Sequence, residues 1–316
     1  MKRLILAFAC LSILGCPLVI KEPVKHAPIS PIELVVLGNL QDAGSPHIGC
    51  TKSCCAKLFK KPDTNRKVVS LGIVDYFNQT TYLFEATPDM TSQLKILSKQ
   101  DTALPELPNG IFLTHAHIGH YAGLMYLGKE AINAHCTPVY AMPRMQDFLT
   151  SHGPWSQLVM LDNIDVLPIK ANEPILLNDN LTVTPFQVPH RDEFSETVGY
   201  TIKGRDKTAL FIPDIDKWEK WDSSIFTAIA MVDYTFVDAT FYDGDEIQSR
   251  DISEIPHPFV IETMELFKDL PETEKAKVHF IHMNHTNPLL DPNSAQTKAV
   301  LKAGFNIARF GDSIRL

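Results

Sequence analysis

The sequence lacks three features that would assign it to whole classes of protein. Its apolar stretch at residues 4–14 is too short to span a bilayer comfortably. It has no run of basic residues and no basic residues interleaved with aromatic ones, which argues against a nucleic-acid-binding surface. No internal repeat of fixed period is visible, so repeat architectures are not indicated.

The charge balance also excludes some partners. The chain carries 29 basic and 37 acidic residues, and 27 basic against 37 acidic residues remain once Lys2 and Arg3 are removed with a predicted leader, a formal charge of −10. Such a surface does not favour nucleic-acid backbones or anionic lipid. We therefore expect a small-molecule substrate and no nucleic-acid partner. Nothing in the sequence indicates the oligomeric state.

The first 31 residues predict export and attachment to a membrane. A basic start, followed by apolar residues 4–14, is typical of an export signal. Residues 13–16 resemble a bacterial lipobox, in which Cys16 becomes the lipidated first residue; cleavage nearby to give a soluble periplasmic protein is the alternative. We predict a signal peptide at residues 1–15, a proline-rich tether at residues 16–31 and one folded domain at residues 32–316.

Few cysteines remain outside this leader, namely Cys50, Cys54, Cys55 and Cys136. In an oxidising compartment they would form disulfides, whereas the compact group Cys50, Cys54 and Cys55 also suits zinc. The spacing alone leaves both alternatives open.

Strand-like and helix-like segments alternate along most of the chain. The opening is rich in β-structure, with strands predicted at residues 33–38, 68–75 and 80–86. A helix is predicted at residues 89–99 with Asp89 as its cap, and another at residues 121–132. Further alternating segments follow to the end of the chain, so the sequence predicts an α/β fold.

A cluster of histidines follows the apolar run at residues 111–113. His115, His117 and His120 occupy three of six successive positions, at the point where a strand would deliver side chains to the rim of a sheet. Only 12 of the 316 residues are histidine, and imidazole is the commonest neutral metal ligand near pH 7. The cluster predicts a metal site.

Three later strands each end in a residue that can bind metal. His190 follows the strand predicted at residues 181–188, Asp214 follows the one at residues 208–212, and His282 ends the one at residues 278–282. Since the ends of neighbouring strands meet at one rim of a sheet, we expect these side chains to lie close to the histidine cluster.

This set of residues resembles that of the metallo-β-lactamase superfamily, whose His-x-His-x-Asp-His motif follows a strand and precedes a His, an Asp and a final His at later strand ends. The resemblance implies a four-layered αβ/βα sandwich. It also implies one metal on His115, His117 and His190, a second on His120 and His282, and Asp214 between them. Gly119 stands where the family has Asp, so we expect a weaker or differently completed second position.

Within the superfamily the closer resemblance is to the pyrroloquinoline-quinone biosynthesis protein B (PqqB) family, through residues 36–38, 114–125 and 280–290. Related phosphodiesterases carry a structural zinc, which implies a site on Cys50, Cys54, Cys55 and His285. A histidine in a comparable loop implies that His257 binds substrate or transfers protons; a solvated loop residue is the alternative.

The resemblance and the ligand set predict a metal-dependent hydrolase of phosphodiester, ester or lactam substrates, with Asp214 and His257 as catalytic residues. One or two zinc ions would activate water, and iron or manganese are alternatives. A PqqB-like oxygen chemistry at iron is the second hypothesis. A non-catalytic metal-binding lipoprotein is the third.

Overall fold

The computed structural model describes residues 32–247 and 255–316. The predicted signal peptide, the lipidation site Cys16 and the tether at residues 16–31 lie outside the described residues. Within the described ranges, no helix is both long and apolar enough to cross a membrane.

The described residues form strands and short helices, and five consecutive strands between residues 164 and 212 have no helix between them. The strands are β1 (Ile32–Gly38), β2 (Ser70–Asp75), β3 (Thr80–Phe84), β4 (Gly110–Phe112), β5 (Thr137–Ala141), β6 (Ile164–Pro168), β7 (Ile175–Asn178), β8 (Leu181–Gln187), β9 (Val198–Lys203), β10 (Thr208–Ile212), β11 (Tyr234–Asp238), β12 (Val278–Ile281), β13 (Asn306–Ile307) and β14 (Ser313–Arg315). The α-helices are α1 (Ser53–Ala56), α2 (Met90–Ser98), α3 (Ile118–Tyr121), α4 (Pro143–Ser151), α5 (Trp155–Met160), α6 (Ile225–Ala230), α7 (Val260–Leu266), α8 (Glu272–Lys275) and α9 (Ala295–Lys302). Among the described residues, 3-10 helices occur at Ala122–Leu127, Trp218–Lys220, Gly244–Glu246 and Pro288–Leu290.

These strands form two seven-stranded mixed sheets. The first has the order β14-β1-β2-β3-β4-β5-β6 and the second the order β13-β12-β11-β10-β9-β8-β7. Strands β3 to β6 run parallel to one another, as do β10 to β13. Strand β9 pairs antiparallel with both β8 and β10, so β8 and β10 share a direction.

Each sheet is buried on both faces. In β1, Leu34 and Val36 point into the core between the sheets, whereas Val35 and Leu37 point into a core shared with helices, because successive side chains of a strand alternate between faces. Aromatic rings join the sheets: Phe84 of the first packs edge-on against Tyr200 of the second, with ring centroids 5.4 Å apart. A third core buries the far face of the second sheet. The predicted four-layered αβ/βα sandwich is confirmed.

The two sheets are tied together next to the predicted metal ligands. The Tyr200 hydroxyl of β9 donates a 2.5 Å hydrogen bond to the carbonyl oxygen of Leu113. The carbonyl oxygen of the next residue, Thr114, accepts from the Val198 backbone N–H at 3.1 Å. The histidine cluster, which follows β4 of the first sheet, is therefore fixed against the second sheet.

One local prediction holds in part and another is wrong. Asp89 occupies the N-cap position of helix α2, but its side chain makes no capping hydrogen bond and instead accepts from the Val68 backbone N–H at 2.8 Å. The helix predicted at residues 121–132 is instead the single turn α3 followed by the 3-10 segment Ala122–Leu127. Gly123 packs against the backbone around Ala86 and Thr87, so tertiary packing decides the local geometry here rather than helix propensity.

Candidate metal centre

Four side chains from separate strand ends form the first candidate metal position. His115, His117, His190 and Asp214 each offer one donor atom, and the four atoms lie within 4.8 Å of one another. His117 Nδ1 lies 2.8 Å from His115 Nε2 and 3.3 Å from His190 Nε2. Asp214 Oδ2 lies 3.4 Å from His115 Nε2 and 3.2 Å from His190 Nε2. Donors about 2 Å from a tetrahedral ion are about 3.3 Å apart, so this set matches such a coordination sphere.

The remaining nitrogen of each imidazole is held by an oxygen atom. His115 Nδ1 meets the Thr114 hydroxyl at 2.8 Å, His117 Nε2 meets Glu193 at 3.3 Å, and His190 Nδ1 meets Asp216 at 3.3 Å. A carboxylate only accepts hydrogen bonds, so Asp216 places the ring proton of His190 on its outward nitrogen and leaves the inward nitrogen for metal ligation. The outward nitrogen of His117 faces both the Glu193 carboxylate, which accepts, and the Arg191 guanidinium, which donates, each at 3.3 Å.

His120 and His282 form the core of a second candidate position. Both rings are buried, and among the described residues neither Nε2 atom has a hydrogen-bond partner. These nitrogens lie 3.9 Å and 4.0 Å from Asp214 Oδ2, so Asp214 faces both positions. A buried polar atom without a partner is costly, and a cation on these nitrogens removes that cost.

Hydrogen bonds set the tautomer of His282 as well. The Thr240 hydroxyl donates to Asp238 Oδ1 at 2.7 Å, because that carboxylate can only accept. The same hydroxyl oxygen lies 2.9 Å from His282 Nδ1 and therefore accepts the ring proton. His282 has a φ of +65°. Residues other than glycine adopt this backbone conformation only at a cost in free energy, and such residues are concentrated at functional sites. Nε2 is thus left free and directed inward.

Asp42 joins this second position and was not among the residues predicted from the sequence. Its carboxylate and the rings of His120 and His282 offer three donor atoms within 4.8 Å of one another. A Cβ atom built on Gly119 would lie 2.1 Å from the Asp42 Cβ, so Asp42 fills the space beside Gly119. The sequence predicts that the second metal position is weaker or differently completed because of Gly119. The signal that could have indicated Asp42 is that it is an acidic residue in the loop directly after β1.

His257 lies beside the centre and makes two contacts with carboxylates. Its Nδ1 atom is 2.8 Å from Asp238 Oδ2 and 3.1 Å from Asp214 Oδ1. Burial lowers the pKa of His257, but Asp238 and Asp214 together raise it well above its ordinary value. The imidazole therefore carries a proton near neutral pH, at the edge of the metal position.

The charges of the site favour a cation. Burial opposes ionisation of the Asp214 carboxyl, yet His190, His257 and His282 hold its pKa well below its usual range. Burial likewise opposes protonation of His190, but Asp214 and Asp216 raise its pKa to about 9. The buried carboxylates attract protons to the imidazoles here, and the same field attracts a divalent ion.

The four residues predicted for a structural zinc also come together. Cys50, Cys54, Cys55 and His285 offer donors within 4.8 Å of one another, and the cysteines are not joined by disulfides. Burial and the neighbouring Cys50 thiol raise the pKa of Cys54 to about 12, whereas burial and His47 lower the pKa of His285 to about 4. The thiols would ionise together only around a cation, and the neutral imidazole is ready to bind one.

Comparisons with known proteins agree with this fold. A family model described as the beta-lactamase superfamily domain matches residues 80–283. The chain belongs to the β-lactamase superfamily.

Several relatives match along nearly their whole length. Coenzyme PQQ synthesis protein B of Xanthomonas campestris pv. campestris is 24% identical over 308 residues, which cover 90% of this chain and 100% of the relative. Coenzyme PQQ synthesis protein B of Methylococcus capsulatus is 24% identical over 306 residues, which cover 89% of this chain and 99% of the relative. The chain is thus similar to PqqB.

Solved structures show the same fold. The zinc-bound PqqB of Methylobacterium extorquens superposes with a TM-score of 0.71 at 22% identity, covering 90% of this chain and 100% of that one. A diphosphatase of the PhnP family superposes with a TM-score of 0.61 at 21% identity, covering 90% and 96%.

Proposed function

We propose that this protein is a metal-dependent hydrolase whose substrate is a small phosphodiester or a related ester or lactam. The observation that supports this most is the arrangement of His115, His117 and His190. The inward nitrogen of His117 lies within 3.3 Å of those of His115 and His190, and both of these lie within 3.4 Å of the Asp214 carboxylate. The outward nitrogen of each ring contacts an oxygen atom.

The donor set fits a borderline divalent ion such as zinc, with iron or manganese as alternatives. His115, His117, His190 and Asp214 would hold it, and the unpartnered nitrogens of His120 and His282 face a second position. A divalent ion there would supply Lewis acidity, which lowers the pKa of water and polarises the bond under attack.

Asp214 and His257 have separate roles in the proposed reaction. The shared Asp214 carboxylate balances positive charge and orients groups between the two positions. His257, kept protonated by Asp238, stands ready to donate a proton to the oxygen or nitrogen that leaves. A positioned general acid of this kind avoids expelling a strongly basic leaving group.

The adjoining cavity favours a small substrate with negative charge. It has a volume of about 820 Å³, and its lining includes the basic side chains of Lys52 and Arg191, the imidazole of His257 and one acidic residue, Glu246. Its size suits a ligand of small-molecule dimensions, and the guanidinium of Arg191 lies 3.3 Å from His117 at the edge of the metal position. Arginine is well suited to phosphate oxygens, so we rank phosphodiesters first among the three substrate types.

A substrate panel tests the proposal. Metal-loaded protein is assayed on phosphodiesters, carboxylic esters and lactams, beside His115→Ala and, as a matched surface control, His152→Gln. We expect turnover by the wild type and the control and its loss in His115→Ala. No turnover of any panel member would refute the proposal, and full activity of His115→Ala would point to a non-catalytic metal-binding protein.

The second candidate is oxygen chemistry at iron, which the resemblance to the PqqB family implies; the chain matches coenzyme PQQ synthesis protein B along 90% of its length. Three histidines and one carboxylate also suit Fe(II). Protein loaded anaerobically with Fe(II) and mixed with phenolic amino acids would then consume oxygen, whereas the zinc-loaded protein would not. Oxygen uptake without hydrolysis would replace the first proposal by this one.

We also propose that the protein is exported and anchored through lipid on Cys16. The supporting observations are the basic start, the apolar residues 4–14 and the lipobox-like residues 13–16. Expression with labelled fatty acid should label the wild type and not Cys16→Ser. A Cys16→Ser variant that labels equally would refute the anchor.

A further inference from the structure

The histidine motif contains a position that only glycine can occupy in this fold. A Cβ atom at Gly119 would lie 2.1 Å from the Cβ and 2.7 Å from the Cα of Asp42. Contacts this short do not occur between real atoms, so a side chain at residue 119 and Asp42 in its present place exclude each other. The space beside residue 119, directly before His120, is therefore occupied by Asp42 from another loop.

The backbone holds Asp42 in this place. The Gln41 N–H donates to the Met283 carbonyl oxygen at 2.9 Å, and the Met283 N–H donates to the Asn39 carbonyl oxygen at 2.8 Å. Met283 directly follows His282, so the loop is attached to the strand end that carries a ligand. Gly44, with a φ of +72°, closes the turn by donating to the Gln41 carbonyl oxygen at 2.9 Å.

Two independent observations point to an ion at this place. Among the described residues, the buried Nε2 atoms of His120 and His282 lack hydrogen-bond partners. The donor atoms of Asp42, His120 and His282 lie within 4.8 Å of one another. Two imidazoles and a carboxylate, with Asp214 Oδ2 about 4 Å from each ring, are a donor set for zinc, iron or manganese.

We propose that Asp42 is the carboxylate ligand of a second metal ion, bound together with His120, His282 and the shared Asp214. The carboxylate comes from the loop after β1 rather than from the histidine motif, and Gly119 is its steric complement. This inference rests on the proposed metal centre but not on the reaction, so a protein that holds two ions and hydrolyses nothing would refute the hydrolase and leave Asp42 as a ligand.

Two variants test the proposal through metal content rather than activity. Asp42→Asn keeps the shape of the side chain and removes its charge, and Gly119→Ala forces Asp42 away without changing any ligand. Each full-length variant is loaded with Zn²⁺, dialysed and analysed for bound metal, then titrated with Co²⁺ while the visible absorption is followed. Any ion on the cysteine cluster is common to all samples and cancels in the comparison.

We expect both variants to hold one ion fewer per chain than the wild type, and to bind the corresponding Co²⁺ at least about tenfold more weakly. Gly153→Ala is the matched control, because a methyl group there meets nothing within 4 Å; it should hold the full complement. Thermal unfolding of the loaded proteins verifies that each variant is folded. Asp42→Asn or Gly119→Ala with wild-type metal content and affinity would overturn the proposal.

Discussion

Replacing His257 by glutamine should slow the reaction according to how poor the leaving group is. The Nδ1 atom of His257 lies 2.8 Å from Asp238 and 3.1 Å from Asp214, and these carboxylates raise the pKa of His257 well above its usual value against the effect of burial. Asp238, which is not one of the proposed metal ligands, therefore favours the protonated imidazole that proton donation requires. Glutamine keeps the polarity and approximate size of the side chain but has no acidic proton to transfer.

The expected magnitude follows from the role of a general acid. Such groups contribute about 10² to 10⁴ in rate, which corresponds to about 2.7–5.4 kcal/mol of transition-state stabilisation. The full effect should appear with an alkyl leaving group, which needs a proton, and only a small effect with 4-nitrophenolate, which leaves readily without one. The slope of log kcat/KM against leaving-group pKa should steepen in His257→Gln.

The assay compares a series of phosphodiesters that differ only in the leaving alcohol, with metal content measured for every protein. His152→Gln, a surface histidine, should reproduce the wild-type slope. A His257→Gln variant with normal metal content and an equal loss for all leaving groups would refute proton donation, and would show that His257 only positions the substrate.

Three further predictions concern the surroundings of the site. Thr240→Val removes the oxygen that accepts from His282 Nδ1 and should weaken the second ion by about 10–100-fold in a metal titration, whereas Thr235→Val, also buried, should leave that affinity unchanged. Tyr200→Phe removes the bond to Leu113 and should lower the free energy of unfolding in urea by about 1–3 kcal/mol; no change would contradict the idea that this bond ties the sheets. Burial, and with it Asp243, raises the pKa of Glu246 from 4.5 to about 7, so the folded chain binds this proton more tightly than the unfolded chain does. Stability should therefore fall between about pH 4.5 and pH 7 by up to about 3 kcal/mol; the fall should vanish in Glu246→Gln, and an unchanged pH profile in that variant would contradict it.

The sequence was sufficient to predict the metal ligands that lie in a histidine cluster or directly after a strand-forming run. His115, His117 and His120 stand out as a cluster, and His190, Asp214 and His282 each follow a run of strand-forming residues. Since parallel strands bring their carboxyl ends to one rim, their convergence could be anticipated without coordinates.

Asp42 could not be predicted in the same way. It is one of several polar residues in a loop, and its position depends on the pairing of that loop with Met283, more than 200 residues later in the chain. Gly119 indicated only that a carboxylate was missing from the motif. Where a substitute would come from is decided by long-range packing, which no local pattern encodes.

The edges of the fold show the same limit. The short strands β7 and β14 were not predicted, because strands of four and three residues are too short to show a period. Strand β14 exists because it pairs with β1 at the opposite end of the chain. The helix predicted at residues 121–132 is wrong for a related reason: Gly123 packs closely on the backbone around Ala86, and Ala122–Leu127 form a 3-10 helix instead.

The most direct test of the metal centre is an anomalous-scattering map of crystals grown with zinc and measured on both sides of the zinc absorption edge. We predict one peak among His115, His117, His190 and Asp214 and a second among Asp42, His120 and His282, with the first absent in His115→Ala. A map without any peak inside this group of side chains, from crystals that show zinc elsewhere, would contradict the claim that they form a metal centre.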